Sequence, residues 1–118
     1  MILATITATL VLATRPCHNP ATHACYDYPT RQIRLDPTAV TPYILTHEVG
    51  HHVYFNTLTD QERRDQAIND PAVRNEEAWA DTYAACILGH GPKWLRTHGY
   101  GIRIGHARFW RICNFIRR

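Results

Sequence analysis

Apolar residues and threonines alternate at the start of the chain. Ile2, Ala4, Ile6, Ala8, Leu10 and Leu12 take the even positions, with Thr5, Thr7 and Thr9 between them. A period of two predicts a β-strand, which threonine and isoleucine both favour. The competing reading is a cleaved secretory signal over residues 1–14, although no basic residue precedes Ile2. Pro16, Asn19-Pro20, Asp27 and Pro29 punctuate residues 15–30, which predicts a loop. Gln32-Ile33-Arg34-Leu35 alternates again and predicts a short strand closed by Asp36-Pro37.

The period then changes to that of a helix. Leu45, Val49 and Val53 recur every fourth residue, which predicts one apolar helix face. Thr41 is suited to cap this helix, Pro42 to begin it and Asn56 to end it. Thr59 with Glu62 resembles a capping box and predicts a short polar helix to about Asn69. A longer helix is expected from Asp70-Pro71 to Gly89, with Val73, Glu77, Ala80, Asp81, Ala84 and Leu88 on one face. Ala80 and Ala84 are small enough to admit another helix at close range. Gly99, Gly101 and Gly105 mark a loop, and Phe109, Ile112, Cys113 and Ile116 form the apolar stripe of a last helix, with Arg108 and Arg111 off it. Strands followed by helices define the α+β class: one domain over residues 1–118, with a small sheet packed on a pair of helices.

Composition narrows this further. At 118 residues, 45% apolar and 19% charged, the chain is suited to one folded core and is not a disordered polyampholyte. No apolar run approaches the ~20 residues of a spanning helix. The formal net charge of +3 is unevenly distributed: residues 1–81 hold six Arg and all ten acids, whereas residues 82–118 hold one Lys, six Arg and no acid. A solvated basic end is the preferred reading, and a surface for nucleic acid or phospholipid is the alternative.

The chemistry concentrates in His47-Glu48-Val49-Gly50-His51, an H-E-x-x-H motif. Residues four apart lie on one helix face about one turn apart, so both imidazoles can reach one ion. Glu48 lies beside them without having to be a ligand. Zinc suits nitrogen donors, lowers the pKa of a bound water to around 7, and leaves a neighbouring carboxylate to take the proton. Glu77 and Asp81 form a second pair four residues apart, and Glu77 follows His51 by twenty-six residues. Their apolar neighbours argue against a solvated acidic pair, because a buried carboxylate needs a cation. Glu77 is then the candidate third ligand. Asp81 is the candidate acceptor for the far nitrogen of a ligand histidine. Glu76 and His52 point about 100° away from Glu77 and His51 respectively and are left out of the site. Candidate donors to an oxyanion are His98, Tyr100 and His106, with His90 and the C-terminal arginines behind them.

THEVGHHVYF followed by NEEAWADTYAACIL resembles the gluzincin metallopeptidases, in particular the ImmA/IrrE-like branch and minimal single-domain gluzincins. The second pattern of that family reads here as Glu77-Ala78-Trp79-Ala80-Asp81-Thr82-Tyr83-Ala84-Ala85. The resemblance covers residues 30–89 and implies a minimal zincin-like fold. It implies one zinc per chain on His47, His51 and Glu77, with Glu48 as general base and acid, and hydrolysis of peptide bonds in a peptide or protein substrate. It also implies that Arg31 to Leu35 is an edge strand, so that an extended substrate would pair around Ile33. Many relatives carry a fused helix-turn-helix domain, for which 118 residues leave no room. The short connection between the motif helices implies minimal cleft walls. Two alternatives keep the zinc fold without broad hydrolysis: a regulatory or nucleic-acid-binding protein using the basic segment, and a structural zinc domain.

Cys17 and Cys25 enclose His18 and His23, which is compatible with a disulfide, free thiols or a second metal cluster. Cys86 and Cys113 are either packed thiols or a bridge from the last helix to the Glu77 helix. Two bridges would indicate an oxidising compartment and a secreted protein with a signal at residues 1–14; otherwise a cytoplasmic location is favoured.

Overall fold

The computed structural model describes residues 7–118. The expected strand positions Ile2, Ala4 and Ile6 lie outside the described residues. Three strands and five helices form a small compact α+β domain among the described residues. The strands are β1 (Thr9–Leu12), β2 (Ala24–Asp27) and β3 (Gln32–Leu35). Their order is β1-β3-β2, with β1 parallel and β2 antiparallel to β3. The segment expected to be a loop therefore contributes β2. A turn over residues 28–31, with Arg31 in the left-handed region at φ 55°, folds β2 back on β3. Local punctuation concealed this strand, because its pairing with β3 is a contact outside its own sequence window.

The topology corrects a second expectation. β3 is the central strand, so its backbone groups are occupied on both sides and Ile33 offers no edge to a substrate. Among the described residues the sheet edges belong to β1 and β2. Ile33 and Leu35 are buried, whereas Leu10 and Leu12 on β1 are 55% and 58% exposed. Leu10 stands beside Ile33 and Leu12 beside Leu35 in the register. The helical layer packs on β2 and β3, and among the described residues it does not extend over β1 to the same degree.

The helices are α1 (Pro42–Asn56), α2 (Asp60–Asp65), α3 (Asn75–Leu88), α4 (Pro92–Leu95) and α5 (His106–Ile116). The Thr41 hydroxyl accepts from the Ile44 N–H and caps α1, as expected. Thr59 and Glu62 complete both bonds of the capping box, but α2 stops at Asp65 rather than near Asn69. Helix α3 starts later than expected. Asp70 accepts from the N–H groups of Ala72 and Arg103 and holds a turn instead of starting the helix. Asn75 then pins the first turn of α3, accepting from the Ile68 N–H and donating to the Tyr54 hydroxyl. Gly89, at φ 80°, closes α3 as expected. The stripe Phe109, Ile112, Cys113 and Ile116 is buried on α5. Cys86 and Cys113 stand at disulfide distance, with Cα atoms 5.5 Å apart, and join α3 to α5. Cys17 stands at disulfide distance from Cys25 of β2, with Cα atoms 6.0 Å apart.

Helix α1 crosses α3 at close range at Gly50. A Cβ built on Gly50 would lie 3.1 Å from Ala80 Cα and 3.2 Å from the Ala80 carbonyl oxygen. Both are backbone atoms of a buried helix, which cannot yield without moving α3 as a whole. Gly50→Val should therefore lower stability by about 2 kcal/mol despite its better helix propensity. Thermal or urea unfolding measures this, and an unchanged midpoint would show that the crossing has slack.

Candidate metal centre

Helix α1 lies between β2 and α3, and this decides which of its residues are buried. Leu45 and Val49 are only half-buried, whereas His47, Glu48, His51 and His52 are buried. The expected apolar stripe is thus incomplete, and a polar stripe takes the interior position. Burial of four ionisable groups on one helix is costly unless they find partners.

For His47 and His51 those partners come from α3. His47 Nε2 lies 3.1 Å from His51 Nε2 and 3.8 Å from Glu77 Oε1, and His51 Nε2 contacts the same oxygen. One donor atom from each of the three residues falls within a 4.8 Å span. Ligands of a tetrahedral zinc stand roughly 3.3 Å apart, so this donor set fits one such ion. Two imidazole nitrogens and one carboxylate oxygen are also chemically appropriate for zinc.

Asp81 is completely buried one turn beyond Glu77. Its Oδ1 lies 2.7 Å from His47 Nδ1 and accepts from the Tyr43 hydroxyl. Its Oδ2 accepts from the Tyr100 N–H at 2.9 Å. This directs the Nε2 of His47 toward Glu77. Gly99 makes the last of these bonds feasible. Its φ is 56°, and a Cβ there would collide with the Tyr43 hydroxyl and with Asp81. Nothing in the motif itself points to Tyr43. Its signal is position, four residues before His47 on the same helix face.

Glu48 is the outlier of the cluster. Its side chain is 6% exposed, and Oε1 lies 4.0 Å from His51 Nε2. Its Oε2 is buried without a hydrogen-bond partner among the described residues, as is His51 Nδ1. Burial pushes the Glu48 pKa up, against the pull of His47 and His51. Glu77 shows the opposite balance: burial opposes its charge, but bonds from His47 and His51 hold it well below the usual carboxylate range. For His47 too, burial disfavours the charge, yet the bonds to Asp81 and Glu77 prevail and raise its pKa to about 9.

The metal-free His47 is therefore protonated at neutral pH, and a metal must displace that proton. Affinity for a divalent metal ion should rise about tenfold per pH unit up to about pH 9 and flatten above it. Titration calorimetry in buffers of different protonation enthalpy would read this as proton release. An affinity that stays level from pH 7 to pH 8.5 would contradict it.

The site opens into a cavity of about 520 Å³ between α1, β2 and the start of α3. Of the three candidate oxyanion donors, only Tyr100 lines it, and its hydroxyl donates to Glu77 Oε2. His98 instead stacks on Trp94 at 4.1 Å, opposite His90, and its Nδ1 approaches the Trp94 carbonyl oxygen. His106 starts α5 and is exposed, with its ring edge toward Trp110. Both histidines are thus removed from the candidate set by their place in the fold. Glu76 is half-buried and pairs with Arg74, and both line the cavity. His52 turns to β2, where its Nδ1 lies 2.9 Å from the Tyr26 hydroxyl. Asn56 donates to the same hydroxyl and so fastens β2 to α1.

The basic end is partly committed to the fold. Arg108 donates to the Ala67 carbonyl and Arg117 to the Cys86 carbonyl. His18 and His23 join no metal-capable cluster among the described residues. No helix among the described residues is long and apolar enough to cross a membrane. No protein family matches this chain, and neither does any curated protein or solved structure.

Proposed function

We propose that this chain is a zinc-dependent metallopeptidase with a minimal zincin-like fold, as its resemblance to the gluzincins implies. The observation that carries the reading is the convergence of His47, His51 and Glu77 beside a buried Glu48 whose Oε2 has no hydrogen-bond partner among the described residues, all lining an open cleft. Zinc would supply Lewis acidity, polarising a carbonyl and lowering the pKa of water. His47, His51 and Glu77 would hold the ion, and Asp81 would keep His47 in the tautomer that presents Nε2. Glu48 takes a proton from the attacking water and returns it to the departing amine, a role suited to a carboxylate whose burial raises its pKa. Burial and the bond to Glu77 raise the Tyr100 pKa, so its hydroxyl stays a donor across the working pH range. Turned from Glu77 to the scissile oxygen, it stabilises the developing charge.

The edge strand β2 replaces β3 as the place for an extended peptide. His23 and its alternates spend their backbone groups on β3, as the bond from the Asp36 N–H to the His23 carbonyl indicates. Ala24 and Tyr26 then aim theirs outward along the cleft, where a peptide can add as a further strand. The test has two parts. Protein purified without a histidine tag should contain one zinc per chain, and a diverse peptide library should be cleaved in a chelator-sensitive way. Absence of zinc would overturn the site; zinc without cleavage of any peptide would overturn the activity.

A further inference from the structure

The cleft has a chemically distinct end. Phe55 follows His51 by one turn of α1, with ring centroids 6.2 Å apart and ring planes within 18°. Tyr28 stands over it from the hairpin turn at 5.1 Å, and Tyr26 lies parallel to it at 6.5 Å. All three line the 520 Å³ cavity. Tyr28 remains 54% exposed although its ring is apolar, and Phe55 is half-buried. The shelf they form is thus incompletely covered by the protein itself. The fold of the hairpin sets its direction. Ala24 and Tyr26 pair with the buried Leu35 and Ile33, so their side chains share the α1-facing side of the sheet. A peptide added to β2 directs every second side chain to that same side, toward His51 and Phe55.

We propose that Phe55 and Tyr28 form a specificity subsite that takes a large aromatic or aliphatic side chain of the peptide. The proposal rests on the peptidase reading and names the substrate class of the same cleft. A small or charged residue at that register leaves the shelf uncovered or loses its hydration without a partner. A ring or a branched aliphatic chain buries apolar area against two aromatic faces. Tyr26 holds the geometry rather than the substrate, because His52 and Asn56 occupy its hydroxyl.

The experiment uses paired peptides that differ only in Phe, Leu, Ala or Asp at one position, assayed with zinc-loaded protein and with Tyr28→Ala. Tyr28 is exposed, so this variant should fold; Phe55→Leu is the second variant because Phe55 packs against the core. The expected result is a kcat/KM ratio of Phe over Ala peptide of about 10 to 100, reduced at least fivefold by Tyr28→Ala. A second arm measures binding of the same peptides to zinc-loaded Glu48→Gln by fluorescence anisotropy, where no turnover is needed. The same preference should appear as a difference in Kd. Cleavage without preference, or a preference that Tyr28→Ala and Phe55→Leu both leave intact, would overturn the subsite while the peptidase reading stands. If no peptide is cleaved, the peptidase reading fails by itself, and equal binding of Phe and Ala peptides would then overturn the subsite separately.

Discussion

Glu48→Gln should lower peptide turnover by about 10²- to 10⁴-fold and leave zinc content at one per chain. The substitution keeps the shape of the side chain but removes the base. Glu48 stands 4.0 Å from His51 Nε2 and is not among the three donors that converge, so its loss leaves the ligand set intact. Its second oxygen is buried and unpartnered among the described residues, an arrangement that costs stability and that a role as base would account for. A glutamine amide there can donate a hydrogen bond but cannot accept a proton from water at neutral pH. Steady-state kinetics and metal analysis on the same preparation make the comparison. Equal cleavage by the variant would remove Glu48 from the reaction, and loss of zinc would mean that it is a ligand after all.

Asp81→Ala should weaken zinc binding by about 10- to 100-fold and lower stability by about 2–4 kcal/mol. Three groups depend on this one buried carboxylate: His47 Nδ1, the Tyr43 hydroxyl and the Tyr100 N–H. Its removal leaves them without an acceptor in a place that water scarcely reaches, and frees the His47 ring to turn. Asp81→Asn separates the two effects. An amide oxygen can still accept from some of these donors, so folding should largely return. Zinc affinity should remain below wild type, because a neutral amide does not strengthen the imidazole as a carboxylate does. Competition with a chromogenic chelator gives the affinity and thermal unfolding the stability. If Asp81→Ala binds zinc as tightly as wild type, the orientation of His47 does not depend on Asp81.

These two residues differ in how they could be read. Glu48 is legible from five consecutive letters, because helix geometry alone puts His47 and His51 on one face with Glu48 beside them. Asp81 is legible only as half of an acidic pair on a face with Ala80 and Ala84. Its three partners arrive from two elements: His47 and Tyr43 from α1, and the Tyr100 N–H from the loop after α4. The same divide separates the oxyanion candidates. His98, Tyr100 and His106 are equivalent by composition, and the stacking of His98 on Trp94 decides against it. Phe55 was hidden for another reason, since a phenylalanine at helical spacing reads as core until the neighbouring strand is known.

The sequence by itself determined the α+β class, both ends of α1, the capping box of α2, the left-handed stop of α3 and the apolar stripe of α5. All of these depend on residues within a turn or two of one another. Only the tertiary structure decided that residues 24–27 form an edge strand and that Gln32–Leu35 is central. It also decided that Tyr100 reaches the cleft and that the polar side of α1 is buried. Strand order, cleft walls and burial are set by which surfaces meet across long stretches of chain, and no local period in the sequence records that.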